Sequence, residues 1–135
     1  MSRATGFPMS VIETVLERAG GRCETAMAGC TLLPVDMQHR RGRGTGGTSR
    51  ANTNLPSNAL ACCRHCHTWV EHNLREAGEY GWAVSIHEPD PDTIPALVWG
   101  VWVWLHDDGT TDPCSAATLR RMDLEDMHDD LGEQP

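Results

Sequence analysis

The sequence predicts a small α+β fold, held together in part by a metal ion. An amphipathic N-terminal helix and a second helical segment from Arg64 flank short apolar stretches of strand length. A valine- and tryptophan-rich stretch around residue 100 reads as β structure. Two separated pairs of cysteines, Cys23 with Cys30 and Cys63 with Cys66, provide four metal-type ligands.

Each element has its own signal. In SVIETVLERA (10–19), Ile12, Val15, Leu16 and Ala19 share one helical face. Ser10 with Glu13 forms a capping box, and Gly20-Gly21 supplies the stop. Leu32 to Arg40 reads as an extended segment interrupted near Pro34, and 41–58, RGRGTGGTSRANTNLPSN, as a long functional loop. Ala59 to Cys62 reads as a second strand. Arg64 to about Leu74 turns helical, with Trp69, Val70 and Leu74 on its apolar side. Trp82 to Ile86 reads as a short strand, and 87–95 as a proline-rich connector. ALVWGVWVWLHDDGT (96–110) is the strongest β signal, with a turn at Gly100 or at Asp107-Asp108-Gly109. Trp99, Trp102 and Trp104 are read as sheet-packing residues in preference to base-stacking ones. Residues 120–135 are acidic and read as a short helix or a disordered tail. The expected organisation is a core over 1–86, a β-rich extension over 87–114 packed on it, and an acidic tail over 115–135.

The chain has 135 residues and a formal charge of −8, with arginine as its only basic type. The two signs are segregated. Residues 1–80 carry nine arginines against seven acids, and 81–135 carry two against twelve. Arg40, Arg41, Arg43, Arg50 and Arg64 form a local basic centre in which Asp36 is the one acid, a pattern compatible with phosphate contact. The plainer alternative is a solvated glycine-rich loop. No apolar run approaches the roughly 20 residues of a membrane span. The N-terminus lacks a signal-peptide pattern. The expected location is therefore the cytoplasm, where cysteines point to metal or catalysis.

Cys63-Arg64-His65-Cys66 has the C-x2-C spacing that lets two thiolates share one tetrahedral ion. With Cys23 and Cys30 it predicts a closed structural zinc site, which would staple a modest core. Four buried or free thiols are the alternative. Cys62 competes with Cys63 but sits at a less favourable spacing, and Cys114 has no evident partner.

Among these cysteines stand His39, followed by RRGRGTGG, then Asn58 opening N-x4-C-x2-C-H, then His67 at the head of a helix. Singly, each has a plain structural reading: a strand-end histidine, a turn asparagine, a helix cap. Taken together, in this order and spacing, they resemble the HNH endonuclease family, in the small zinc-containing form common in phages of actinobacteria. The likeness covers about residues 10–84.

The resemblance implies a ββα-metal core and hydrolysis of DNA phosphodiester bonds in phage genome processing. It implies His39 as general base, Asn58 as the residue orienting that imidazole, and His67 as ligand of a catalytic divalent ion. Arg40, Arg41, Arg43, Arg50 and Arg64 would contact the DNA. Relatives often carry a metal ligand just before the base, where this chain has Gln38, a weaker donor for a hard cation. Gln38 and Glu71 are tentative further ligands, Asp36 is a substitute, and the ion is Mg²⁺, Mn²⁺, Ni²⁺ or Zn²⁺. Double-stranded DNA is the expected partner, with phage terminase subunits a further one. The chain is expected to be a monomer or weak dimer, away from membranes, in the bacterial host cytoplasm. A competing hypothesis is a zinc-stabilised DNA-binding module whose catalytic site has decayed at Gln38.

Overall fold

A computed structural model describes residues 6–42 and 50–123. It combines helices with two small antiparallel sheets, an α+β arrangement. Helix α1 spans Met9–Arg18. It begins one residue before the expected Ser10 cap, because Pro8 sits at the N-cap with φ −63° and its carbonyl accepts the N–H groups of Val11 and Ile12. Ser10 lies inside the first turn, where its carbonyl accepts the Thr14 hydroxyl. Gly20, at φ +64°, ends the helix as expected, and the Gly21 N–H bonds back to the Leu16 carbonyl at 3.1 Å.

Strands β1 (Asp36–His39) and β2 (Ala59–Cys62) pair antiparallel, with Asp36 opposite Cys62 and His39 opposite Ala59. The pleat sends alternate residues to opposite faces. Met37, Ala59 and Ala61 join Phe7, Ile12, Val15 and Ala19 in one apolar cluster beside α1. Leu60 and Cys62 join Val70, Ala77, Trp82, Ala96 and Leu105 in a second cluster on the other face. The hairpin is thus the middle layer between α1 and helix α2 (Arg64–His72). The outer edge of β2 is closed by Glu24. Its N–H donates to the Ala61 carbonyl at 2.8 Å, and its carboxylate accepts the Ala61 N–H at 3.0 Å. Arg18 grips the same carboxylate with two nitrogens, at 2.9 and 2.7 Å.

The helix expected over 64–74 is two helices. Asn73, at φ −139° and ψ 49°, breaks it, and α3 runs Leu74–Glu79. The strand expected at 82–86 is not formed. Its ladder is a single parallel bridge, Val84 with Arg41, because the chain bends on both sides. Strands β3 (Ala96–Val98), β4 (Val101–Leu105) and β5 (Thr111–Pro113) form the second sheet. Both expected turns are used. Trp99 and Gly100, at φ +52° and +78°, make a two-residue turn of the primed type that suits a twisted hairpin. The second sheet docks through the Trp82 indole N–H on the Leu97 carbonyl at 2.7 Å and the Leu97 N–H on the Tyr80 carbonyl at 2.9 Å. Helix α4 covers Ala116–Asp123; Arg43 and the tail from residue 124 lie outside the described residues. Among the described residues no helix is long and apolar enough to cross a membrane.

Candidate functional site

The stop of α1 delivers Cys23 to the interior, where its N–H bonds the Leu32 carbonyl at 2.7 Å. The intervening loop reverses through Ala26 and Gly29, both at positive φ, and presents Cys30. Cys63 is the N-cap of α2, and its sulfur accepts the Cys66 N–H at 3.4 Å. The sulfurs of Cys23, Cys30, Cys63 and Cys66 all lie within 4.8 Å of one another. A tetrahedral ion with thiolates at about 2.3 Å needs sulfurs about 3.8 Å apart. Cys30 and Cys63 stand 3.8 Å apart. The four residues therefore fit one structural metal ion.

Cys62 is excluded from that group because the pleat turns its thiol to the Gln38 side-chain oxygen. The Cys62 thiol nevertheless donates toward Cys23 and, against the effect of burial, draws the Cys23 thiol down to about 3. Burial pushes the Cys30 and Cys66 thiols up. At Cys63 burial raises the thiol, but hydrogen bonds from Cys66 and Thr31 together outweigh it and the thiol is lowered. A cation among them would favour the thiolate at all four.

The second constellation sits on the hairpin and α2. His67 bridges two carboxylates: Nδ1 lies 3.0 Å from Asp36 and Nε2 lies 2.8 Å from Glu71, one turn along the helix. Arg64 donates to both oxygens of Asp36, at 2.7 and 3.1 Å, while 73% of its own side chain is exposed. Burial raises the Asp36 carboxyl, but His67 and Arg64 together hold it below its usual value. The two carboxylates sit on opposite ring nitrogens and do not converge on one point; among the described residues the four cysteines are the one group whose ligand atoms cluster as a metal site requires. Both ring nitrogens are engaged, so an ion at His67 must displace one carboxylate.

His39 points to the α1 side, where its ring stacks on Phe7 at 4.0 Å and 16°. Its Nε2 meets Asn54 Oδ1 at 2.8 Å. That amide oxygen accepts, so Nε2 is the donor in this contact.

Several expected roles change hands. The side chain hydrogen-bonded to the His39 ring is that of Asn54, while Asn58 bonds the backbone next to His39, its carbonyl accepting the Arg40 N–H at 2.8 Å. Asn58, fully buried, accepts the Arg41 N–H at 2.7 Å and donates to the carbonyls of Arg41 and Thr53. It clamps the chain just beyond His39. Gln38, the tentative ligand of the divalent ion, lies buried and donates to the Trp82 carbonyl at 3.1 Å. Asp36, two residues back on the same face of the strand, is the side chain that reaches His67.

Arg40 and Arg41 are not on the surface. The Arg40 guanidinium donates to the carbonyls of Gly81, Ser57, Pro91 and Ile94 at 2.6–3.1 Å. Burial, and then the like charge of Arg18, lower it to about 9, so it remains a cation at neutral pH. Arg41 holds the carbonyls of Glu88 and Pro89 and the side chains of Asn52 and Thr53. These two arginines stitch the loop after β1 to the connector that leads into β3, and their donors are already committed there. Arg50 is exposed and donates to the carbonyls of Ile86 and Glu88. His65 reaches the Ala28 carbonyl at 3.0 Å and braces the cysteine loop, and His72 bonds back to Thr68 on its own helix.

No protein-family model matches this chain, and no curated protein or solved structure matches it either.

Proposed function

We propose that the protein is a metal-dependent endonuclease of the HNH type that hydrolyses DNA phosphodiester bonds, with zinc in its four-cysteine cluster. The observation that carries the proposal is the hairpin-and-helix unit. It sets His67 on the helix packed against the hairpin face that carries Asp36, which reaches it, and His39 at the end of the same strand on the opposite, α1-facing side. Zinc suits the four thiolates because it is borderline-soft and accepts tetrahedral sulfur. His67 with Asp36 or Glu71 would hold a divalent ion, which would supply Lewis acidity for phosphodiester hydrolysis.

The chain's own residues supply the rest. His39 is the proposed base for the attacking water, with its ring held by Asn54 and Phe7. Asn58 holds the backbone beyond His39 in place. Arg64, exposed at the head of α2 and paired there with Asp36, is the proposed phosphate contact. Double-stranded DNA is the proposed substrate, and a phage packaging enzyme the proposed partner.

A plasmid-nicking assay across Mg²⁺, Mn²⁺, Ni²⁺ and Zn²⁺ tests this reading. His39→Ala should keep metal binding and lose at least about 100-fold in rate. His67→Ala should bind the divalent ion weakly and regain part of its rate at high metal concentration. Wild-type rates in His39→Ala would remove His39 as the base. A DNA-binding module without catalysis is a second reading, favoured by the commitment of Gln38 to Trp82. It would be established by DNA binding without cutting in any of the metals.

A further inference from the structure

Between the cysteine loop and the second sheet lies a pocket of about 480 Å³. Its walls are Trp69, Tyr80, Trp82 and Trp99, with Met27 and Leu97. This volume falls in the roughly 300–1,000 Å³ range of small-molecule sites and has room for one planar heterocycle with its sugar. Trp99 was expected to pack in the sheet. Instead it stands in the β3–β4 turn, 40% exposed, at φ +52°. Ala26, on the opposite wall, also has positive φ, at 49°. Non-glycine residues held at such angles cluster at functional sites.

A charge beside one wall, at Trp99, narrows the ligand class. Arg22 lies over the Trp99 ring, 4.3 Å from its centroid, and among the described residues no carboxylate pairs with it. A cationic ligand such as a methylated ammonium would meet like charge there. A ligand that joins a π-face to a negative group satisfies both features, and a nucleotide does so.

We infer that this pocket is a nucleobase site, in which the aromatic walls stack one unpaired base and Arg22 takes its phosphate. The inference rests on the DNA reading above and adds single-stranded or extruded nucleotides to its substrate class. The loop that forms one wall, Thr25 to Ala28, is strung between the metal-type ligands Cys23 and Cys30, so the cluster also shapes the pocket.

The test uses the full chain with its metal and two fluorescent single strands of eight units, oligo-dT and an abasic strand of the same length. The variant of choice is Trp99→Gly. Glycine takes φ +52° without strain, so the turn is kept while the ring is lost. Oligo-dT should bind about ten-fold more tightly than the abasic strand. Trp99→Gly should abolish that difference. Arg22→Ala should weaken both strands and lower the salt slope by about 0.7.

Equal affinity of the wild type for the two strands overturns the inference, as does an unchanged preference in Trp99→Gly. So does a decaproline peptide that needs Trp99 while oligo-dT does not. Plasmid nicking separates this inference from the reading it rests on. Nicking retained without base preference overturns the pocket alone. Base preference without nicking in any metal supports the pocket and overturns the nuclease. Loss of nicking and of all DNA binding overturns both.

Discussion

Replacing Arg40 should unfold the protein more readily without acting through DNA. In Arg40→Met, the carbonyls of Gly81, Ser57 and Ile94 lose their donor, while Pro91 keeps the Ile94 N–H. Each buried carbonyl left without a partner costs about 1–3 kcal/mol, so Gly81 and Ser57 together cost about 2–6 kcal/mol, and the half-buried Ile94 adds less. Removing a buried cation relieves desolvation, which brings the expected net loss to about 3–5 kcal/mol. That is a large part of the roughly 5–15 kcal/mol available to a domain. Arg40→Lys keeps the charge but replaces a planar fork with one ammonium that cannot span from Gly81 to Ile94. Its loss should fall between wild type and methionine, at about 2 kcal/mol. Urea denaturation at fixed metal concentration reads both, with DNA affinity measured in parallel on the folded fraction. The two roles of Arg40 predict opposite outcomes. If both variants stay within about 1 kcal/mol of wild type and lose DNA affinity, the guanidinium faces phosphate and the buried arrangement is wrong.

Three further outcomes follow from the same contacts. Cys66→Ser should lower bound metal below one ion per chain and reduce helix content, whereas Cys62→Ser should keep the ion; metal analysis with circular dichroism decides, and the reverse order would reassign the ligands. Arg18→Met strands the Glu24 carboxylate, 1% exposed, and should cost about 3–5 kcal/mol, much of it regained in the Arg18→Met/Glu24→Leu double variant; additive losses in denaturation would contradict the pairing. Asp36→Asn should cost about 1–2 kcal/mol at neutral pH. The folded carboxyl titrates below its unfolded value, so that difference should be full above about pH 4 and fade as pH falls further; a difference that grows in acid would refute the ion pairing.

Local signals in the chain were sufficient for its short-range structure. Apolar residues at 12, 15, 16 and 19 define α1, and the glycine after them ends it, because helix periodicity and stop are written within one or two turns. The turns of the second sheet and the choice of Cys63 over Cys62 were equally legible, since turn residues and ligand spacing act over a few residues, whereas the pairing of β1 with β2 was implied only by the family resemblance. The break at Asn73 was not, because the helical pattern continues across it into α3. Tertiary structure alone decided where the arginines go. Arg40 and Arg50 look alike in a basic, glycine-rich stretch. One is buried because carbonyls from residues 57, 81, 91 and 94 converge on it, and the other stays exposed on the surface. The same holds for Asn54 and Asn58, which differ only in which one the folded loop swings against the ring of His39. Propensity and periodicity act between neighbours. A shell of carbonyls from segments up to 54 residues away exists only once the chain has closed around it.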